Sequence, residues 1–211
     1  IASAVDSAYS EPYKSMVSER LANYYGMIAK VDEDLGVFIQ ELDNLDLADN
    51  TILIFMTDNG PCPWFGGIII DENGFVDEGY SCDMRGGKIW GYENAHRVPC
   101  YIRWPEGDIG GGRDISKLTA HIDLLPSLID WCGLETPNQG DFDGVSLKSL
   151  IGGNEDIWPD RTLFVHNQRV DFTVKYKEYQ VLTEQWRLLN RDTLELYDIL
   201  DDPGQTKDLV A

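Results

Sequence analysis

Asp58 and Asn59 close an apolar run, Thr51-Ile52-Leu53-Ile54-Phe55-Met56-Thr57, and Gly60 follows them. An acid beside a carboxamide offers oxygen donors, which suit a hard cation such as Ca²⁺ or Mg²⁺, whereas a zinc site would more often show His or Cys. The run carries β-branched residues and reads as a strand buried on both faces. Strand ends in open α/β sheets are where ligands bind, because the strand fixes the loop that leaves it. The same three residues also favour a β-turn through Asx chemistry, and on this segment alone both readings stand. Further on, Gly86-Gly87-Lys88 sets an ammonium in a glycine-flanked loop. A permissive backbone there lets the cation reach an anion; an ordinary solvated lysine is the alternative.

Other residues have chemistry to offer and simpler explanations beside it. A histidine can protonate a leaving oxygen near neutral pH, but His96 reads as a loop residue, His121 as a helix start and His166 as structural. Asp123 reads as a helix-start carboxylate offsetting backbone N–H groups. Arg85 and Arg97 suit structural carboxylate contacts. Trp64, Phe65, Trp90 and Tyr92 could stack on a ring or cover the core. Cys100 and Cys132 fall in a predicted strand and helix and read as buried thiols. Cys62 and Cys82 flank an irregular loop and could pair if the protein is exported.

Positioning these groups requires a framework, and the pattern supplies one. Apolar residues at 21, 24, 28, 31, 35, 38, 42 and 45 predict a core-facing amphipathic helix, with Ser15 or Ser18 as N-cap. A helix followed by a buried strand is half of a βαβ unit. Residues 61–87 form a long Gly-rich loop with Ile68–Ile70 as a short strand, then Val98–Trp104 reads as a second apolar strand. His121–Cys132 reads as a helix stopped by Gly133, Pro137–Gly153 as loop, and Arg161–His166 as a strand. From Tyr179 three short alternating segments, Tyr179–Thr183, Trp186–Asn190 and Leu194–Ile199, predict an antiparallel meander.

The 211 residues suffice for one large domain or two small ones. A hydrophobic content of 43% with six tryptophans marks a folded chain. A formal net charge of −20 disfavours nucleic acid and anionic membranes as partners. No apolar run is long enough to span a bilayer as a helix, and the first residues lack the pattern of a signal peptide.

Four motifs stand in order: strand-Thr57-Asp58-Asn59-Gly60; Gly86-Gly87-Lys88 followed by Tyr92-Glu93 and Arg97-Val98-Pro99; Asp123-Leu124-Leu125-Pro126-Ser127; and Leu196-Tyr197-Asp198 leading to Asp202-Pro203. Together, over about residues 10–209, they resemble the sulfatase family. The resemblance implies an α/β fold: part of an alkaline-phosphatase-like sheet with flanking helices over residues 1–155, and a small C-terminal antiparallel sheet over 156–211. By the same resemblance Asp58 and Asn59 match the family's second pair of Ca²⁺ ligands, and Lys88 matches the lysine that contacts the sulfate ester. Glu93 matches a Tyr-Glu-Gly-Gly segment, with Asn94-Ala95 where the glycines usually stand. Ala adopts the left-handed backbone poorly, which puts the geometry of that loop in question.

Sulfatases use a formylglycine made from a Cys/Ser-x-Pro-x-Arg motif, and none occurs in the sequence. The family's first aspartate pair is absent too, as is the histidine that precedes the segment resembled by Glu11-Pro12-Tyr13. The resemblance places all of these upstream of Ile1. The expectation is therefore the C-terminal part of a sulfate ester hydrolase, binding Ca²⁺ weakly by itself and inactive alone, with self-association through apolar edges of a truncated sheet. Its substrate would be a sulfated small molecule or glycan, and its location periplasmic, secreted or lysosomal. A phosphate mono- or diester or phosphonate hydrolase of the same superfamily remains open, although its zinc-dependent members carry Asp-His where this chain has Asp58-Asn59. So does a non-catalytic binding domain.

Overall fold

The computed structural model describes residues 5–63, 68–107, 109, 111–136, 141–168, 171–172 and 174–210. The stacking candidates Trp64 and Phe65 lie outside that set.

The longest element is helix α2, Glu19–Asn44, preceded by the short α1, Ser7–Ser10. Ser18 caps α2 by accepting from Leu21 N, as its position predicts. At Gly26 the two helices meet: a Cβ there would stand 2.9 Å from Ser10 N. Of the predicted apolar stripe only Leu21 is buried, near this crossing, where Ala22 and Gly26 beside the stripe are buried with it. Farther along, Ile28, Val31 and Phe38 are about half exposed. The expectation of a wholly core-facing helix is thus met only at its N-terminal third. Beyond it, Ile28, Val31 and Leu35 line an open groove of about 470 Å³ with Leu53, Phe55 and Tyr101 on the other side.

Those last residues belong to strands β1, Leu53–Met56, and β2, Cys100–Arg103. The pair is antiparallel, with Leu53 opposite Arg103 and Met56 opposite Cys100. One expectation changes here. The strand is half-buried rather than buried on both faces, because among the described residues it has one strand neighbour and a loosely apposed helix. It pairs antiparallel to its neighbour, so residues 53–103 form a long-looped ribbon, a pairing separate from the half βαβ unit that α2 and β1 make.

The larger core lies beside the ribbon. Trp131, Leu147, Leu150, Ile151 and Trp158 are buried, and Ile52, Ile102 and Trp104 pack against them. Trp131 ends helix α4, Leu124–Trp131, which follows a 3₁₀ turn over His121–Asp123 and stops at Gly133 with φ +62°. Asp123 does more than start that helix. It is 0% exposed, accepts from Ala120 N and Val145 N, and takes both of its contacts with Arg161 at 2.7 and 2.8 Å. The helix start, residues 141–147 and the approach to the C-terminal sheet are thereby tied at one carboxylate.

Leu150 and Ile151 come from a single helical turn, Lys148–Ile151, within a stretch that reads as loop in the sequence. One turn is too short to display helical periodicity. Likewise the predicted strand at Ile68–Ile70 reduces to one bridge, Ile70 with Val76. The remaining helix of this half, α3, spans Glu93–His96.

Strands β3, Leu163–His166, β4, Tyr179–Leu182, β5, Trp186–Asn190, and β6, Leu194–Asp198, form an antiparallel sheet in chain order. Leu189 and Tyr197 from this sheet bury Tyr92, and Trp90 packs on the cluster. The thiols differ from expectation: Cys100 and Cys132 are exposed, one at the start of β2 in the two-stranded ribbon and one just past the last buried residue of α4. Cys62 and Cys82 stand as free thiols. No described helix is long and apolar enough to cross a membrane.

Candidate functional site at the end of strand β1

Three sequence-predicted residues come together where β1 ends. Lys88 Nζ lies 3.7 Å from Asp58 Oδ2, and Asn59 Nδ2 donates to the same oxygen at 2.8 Å. The carboxylate side chain is 83% exposed and the ammonium 37%. An ion pair so open to water contributes little stability, so the contact does not explain why Lys88 sits there.

Backbone contacts do. Lys88 N donates to Pro61 O at 2.8 Å, which fixes the Lys88 loop against the residues leaving β1. A side chain at Gly87 would meet that same carbonyl at 2.6 Å, so only glycine permits the approach. Ile89 follows at φ +72°, an outlier for a β-branched residue. Holding it there costs about 1–3 kcal/mol, and the Asn167 side-chain amide donating to its carbonyl helps to keep it so. Strain next to a charged, exposed side chain is the pattern of a site that has been positioned.

Helix α3 ties the pieces together. Gly60 N donates to Ala95 O at 3.0 Å, and Asn94 Nδ2 donates to Gly86 O at 3.0 Å. One turn therefore holds both loops that carry the candidate residues. Asn94 and Ala95 take right-handed helical geometry here, so the absence of the glycine pair does no harm to the loop. A Cβ at Gly60 would sit 1.6 Å from the Asn94 carbonyl. Gly60→Ala is thus expected to force α3 and the β1 loop apart and to cost about 3 kcal/mol, read as a lowered urea midpoint.

Glu93 anchors α3 to the C-terminal sheet. Its side chain is 1% exposed, accepts from Arg187 Nε at 2.5 Å, and lies 3.6 Å from Arg97 NH1. Its backbone N–H donates to Gln205 Oε1 at 2.7 Å. Arg97 thus makes the carboxylate contact expected of it. Arg85 does not: it lies over the Tyr92 ring at 4.2 Å and donates to Tyr197 Oη and the Gln205 carbonyl. The nearby acid, Glu195, is engaged instead by the hydroxyls of Tyr92 and Tyr197. Tyr92 in turn donates to Glu195 and serves the core rather than a ligand.

His96 ends α3 and His121 begins the turn before α4, and among the described residues neither is hydrogen-bonded or ion-paired to Asp58 or Lys88. Burial holds the His96 imidazole below its ordinary range, and the Glu93 carboxylate 3.9 Å away pulls the other way. A depressed histidine favours folding above about pH 6.5, and that contribution is lost as pH falls, since the unfolded chain takes up the proton first. Stability is expected to fall on acidification from that point. His96→Gln should flatten the slope in denaturant midpoints measured from pH 7.5 to 5.

Sequence reading misses Arg187, Gln205 and Asn167. Each acts from more than 70 positions away from its partner, and nothing local marks it. As for a metal, no group of three or more His, Cys, Asp or Glu gathers among the described residues. Asp58 and the Asn59 amide oxygen fit a hard cation by type, and they amount to two residues of a site that takes six to eight oxygens.

Two family models match the chain: "Sulfatase" over residues 3–134 and "N-sulphoglucosamine sulphohydrolase, C-terminal" over residues 86–211. An N-acetylglucosamine-6-O-sulfatase of Bacteroides thetaiotaomicron is 25% identical over 197 residues, covering 90% of this chain and 32% of its own length. The chain spans about a third of the length of the curated relatives it matches. Among solved structures, Ps i-CgsB in complex with k-i-k-neocarrahexaose superposes with a TM-score of 0.81 at 21% identity, over 99% of this chain and 43% of that one. The phosphonate monoester hydrolase of Agrobacterium radiobacter superposes at 0.63 with 27% identity, over 92% and 38%. The fold is therefore the alkaline-phosphatase-like α/β fold of these neighbours.

Proposed function

The chain belongs to the sulfatase family, and from that premise we propose that it forms the C-terminal part of a sulfate ester hydrolase. The observation that carries the reading is the meeting of Asp58, Asn59 and Lys88 at one strand end. Asp58 and Asn59 would hold Ca²⁺, which supplies positive charge to the sulfate oxygens. Lys88, set by Pro61 O and the strained Ile89, donates to the ester. A donor placed beforehand where charge develops needs no reorganisation during reaction. The neutral Asn beside one carboxylate limits negative charge, which eases the approach of an anionic substrate.

The formylglycine nucleophile and the remaining cation ligands come from outside these 211 residues, so this chain alone turns over no ester. The sheet at residues 156–211 works as a subdomain that braces α3 of the part formed by residues 1–155. Apolar residues along the open α2–β1 groove lead the isolated chain to self-associate. Its setting is periplasmic, secreted or lysosomal.

The likeness to a phosphonate monoester hydrolase gives a second reading, phosphonate or phosphate ester hydrolysis, at the same residues. Turnover by the full gene product separates the two. Release of sulfate from N-acetylglucosamine 6-sulfate well above release of phosphonate from an aryl phosphonate monoester supports the first. The reverse order overturns it.

A further inference from the structure

Glu93 is the only acid of the single turn α3, and three basic groups face its carboxylate. Arg187, from β5, donates through Nε to Oε1 at 2.5 Å. Arg97, one residue past the turn, brings NH1 to 3.6 Å from Oε2. His96 places Nε2 3.9 Å from Oε1, the oxygen that Arg187 already holds. With the imidazole neutral, two guanidiniums share one carboxylate and the cluster has a net positive charge. A proton on His96 adds a third cation beside Glu93 and Arg187, which are 1% and 6% exposed at the side chain. Charges so far from water are weakly screened.

The ring is nevertheless within reach of protons, because a third of the His96 side chain is exposed. The groups that face it are Glu93 and Arg97 on α3 and its C-terminal end, Arg187 on β5, and the Gly91 carbonyl in the loop ahead of the turn. Burial opposes the charged ring most, and Arg187 and Arg97 add to that; Glu93 and the Gly91 carbonyl pull the other way and are outweighed.

What α3 holds gives the proton a consequence. Ala95 O accepts from Gly60 N, Asn94 Nδ2 donates to Gly86 O, and Asn94 N donates to Arg85 O. The turn is itself docked on the C-terminal part through the Glu93–Arg187 pair and Gln205. All of these links run through four residues, of which His96 is the last.

We propose that His96 is a positioning residue that makes the hold of α3 on the Asp58 and Lys88 loops sensitive to pH: a neutral ring leaves the Glu93–Arg187 latch closed, and a protonated ring loosens it. When the latch opens, the ring enters water and takes up a proton near its ordinary value of about 6.5, whereas in the closed latch it does so only at lower pH. The closed form is therefore at full strength above about pH 6.5 and weakens as pH falls through the lower value. Docking of the turn is a property of the fold and does not depend on which ester the strand end acts on.

Amide hydrogen exchange, followed by NMR in the full chain from pH 7.5 to 5 and corrected for the intrinsic rate at each pH, tests this. Gly60 N and Asn94 N report the two loops, and Ile151 N, bonded to Leu147 O in the larger core, reports a part the turn does not hold. Histidine ring signals, assigned with His96→Gln, report the proton. Protection at Gly60 and Asn94 is expected to fall at least about threefold as His96 titrates, with Ile151 level, and to stay level in His96→Gln. Arg97→Gln, at a side chain 57% exposed, is the second variant should His96→Gln fail to fold. Removing that guanidinium should move the His96 titration upward and shrink the loss of protection. Level protection at Gly60 and Asn94 through the His96 titration overturns the proposal. So does an equal fall at Ile151, which marks general loss of stability, or a fall that persists undiminished in both variants.

Discussion

Replacing Lys88 by Ala in the full gene product is expected to lower kcat for a sulfate ester by 10²- to 10³-fold, about the loss seen when one positioned donor to developing charge is removed. The folded state should hardly notice. The side chain is 37% exposed, and its contact with Asp58 is an open ion pair of little stabilising value. The groups that set the loop, Lys88 N on Pro61 O and Gly87 beneath it, are unaffected by truncation beyond Cβ. Unchanged urea midpoints with collapsed turnover would separate a donor to substrate from a structural lysine. Turnover within threefold of wild type would return Lys88 to the solvated surface.

The largest effect on stability is expected from Glu93→Ala. Glu93 and Arg187 are 1% and 6% exposed at the side chain, and they meet at 2.5 Å. Removing the acid strands a guanidinium in the interior, which costs about 3–5 kcal/mol. Such a loss is a large share of the stability of an ordinary domain. Because the same turn holds Gly60 and Gly86, both candidate loops should loosen with it. Replacing both partners together, Glu93→Leu with Arg187→Met, removes the stranded charge. It should recover most of the urea midpoint without restoring the docking of the sheet. Equal losses in the single and the double variant would show that the pair matters through shape rather than charge.

Much of this architecture is legible in the sequence, and the exceptions have physical reasons. Periodicity marks α2 because 26 residues repeat the pattern many times, and Ser18 marks its start because capping is a local event. The β4–β6 meander shows because alternation and turn residues lie close together along the chain. The antiparallel pairing of β1 with β2 does not show, since an apolar strand reads the same in either direction. Nor does the exposure of the α2 stripe, which depends on what packs opposite it. At the candidate site, Asp58, Asn59 and Lys88 are visible from their types and neighbours. The residues that hold them, Arg187 on Glu93 and Asn167 on Ile89, arrive through the fold and carry no local mark. Asp123 lies between these cases: its helix-start position is readable, while its burial against Arg161 is not.

The most direct test is hydrolysis of N-acetylglucosamine 6-sulfate by the full gene product, followed with a chelator, with added Ca²⁺, and in the Asp58→Ala variant. The account predicts activity that is lost on chelation, returns with Ca²⁺, and in Asp58→Ala needs at least about tenfold more Ca²⁺ to return. Full activity in the presence of chelator, or a Ca²⁺ requirement identical in wild type and Asp58→Ala, would contradict it.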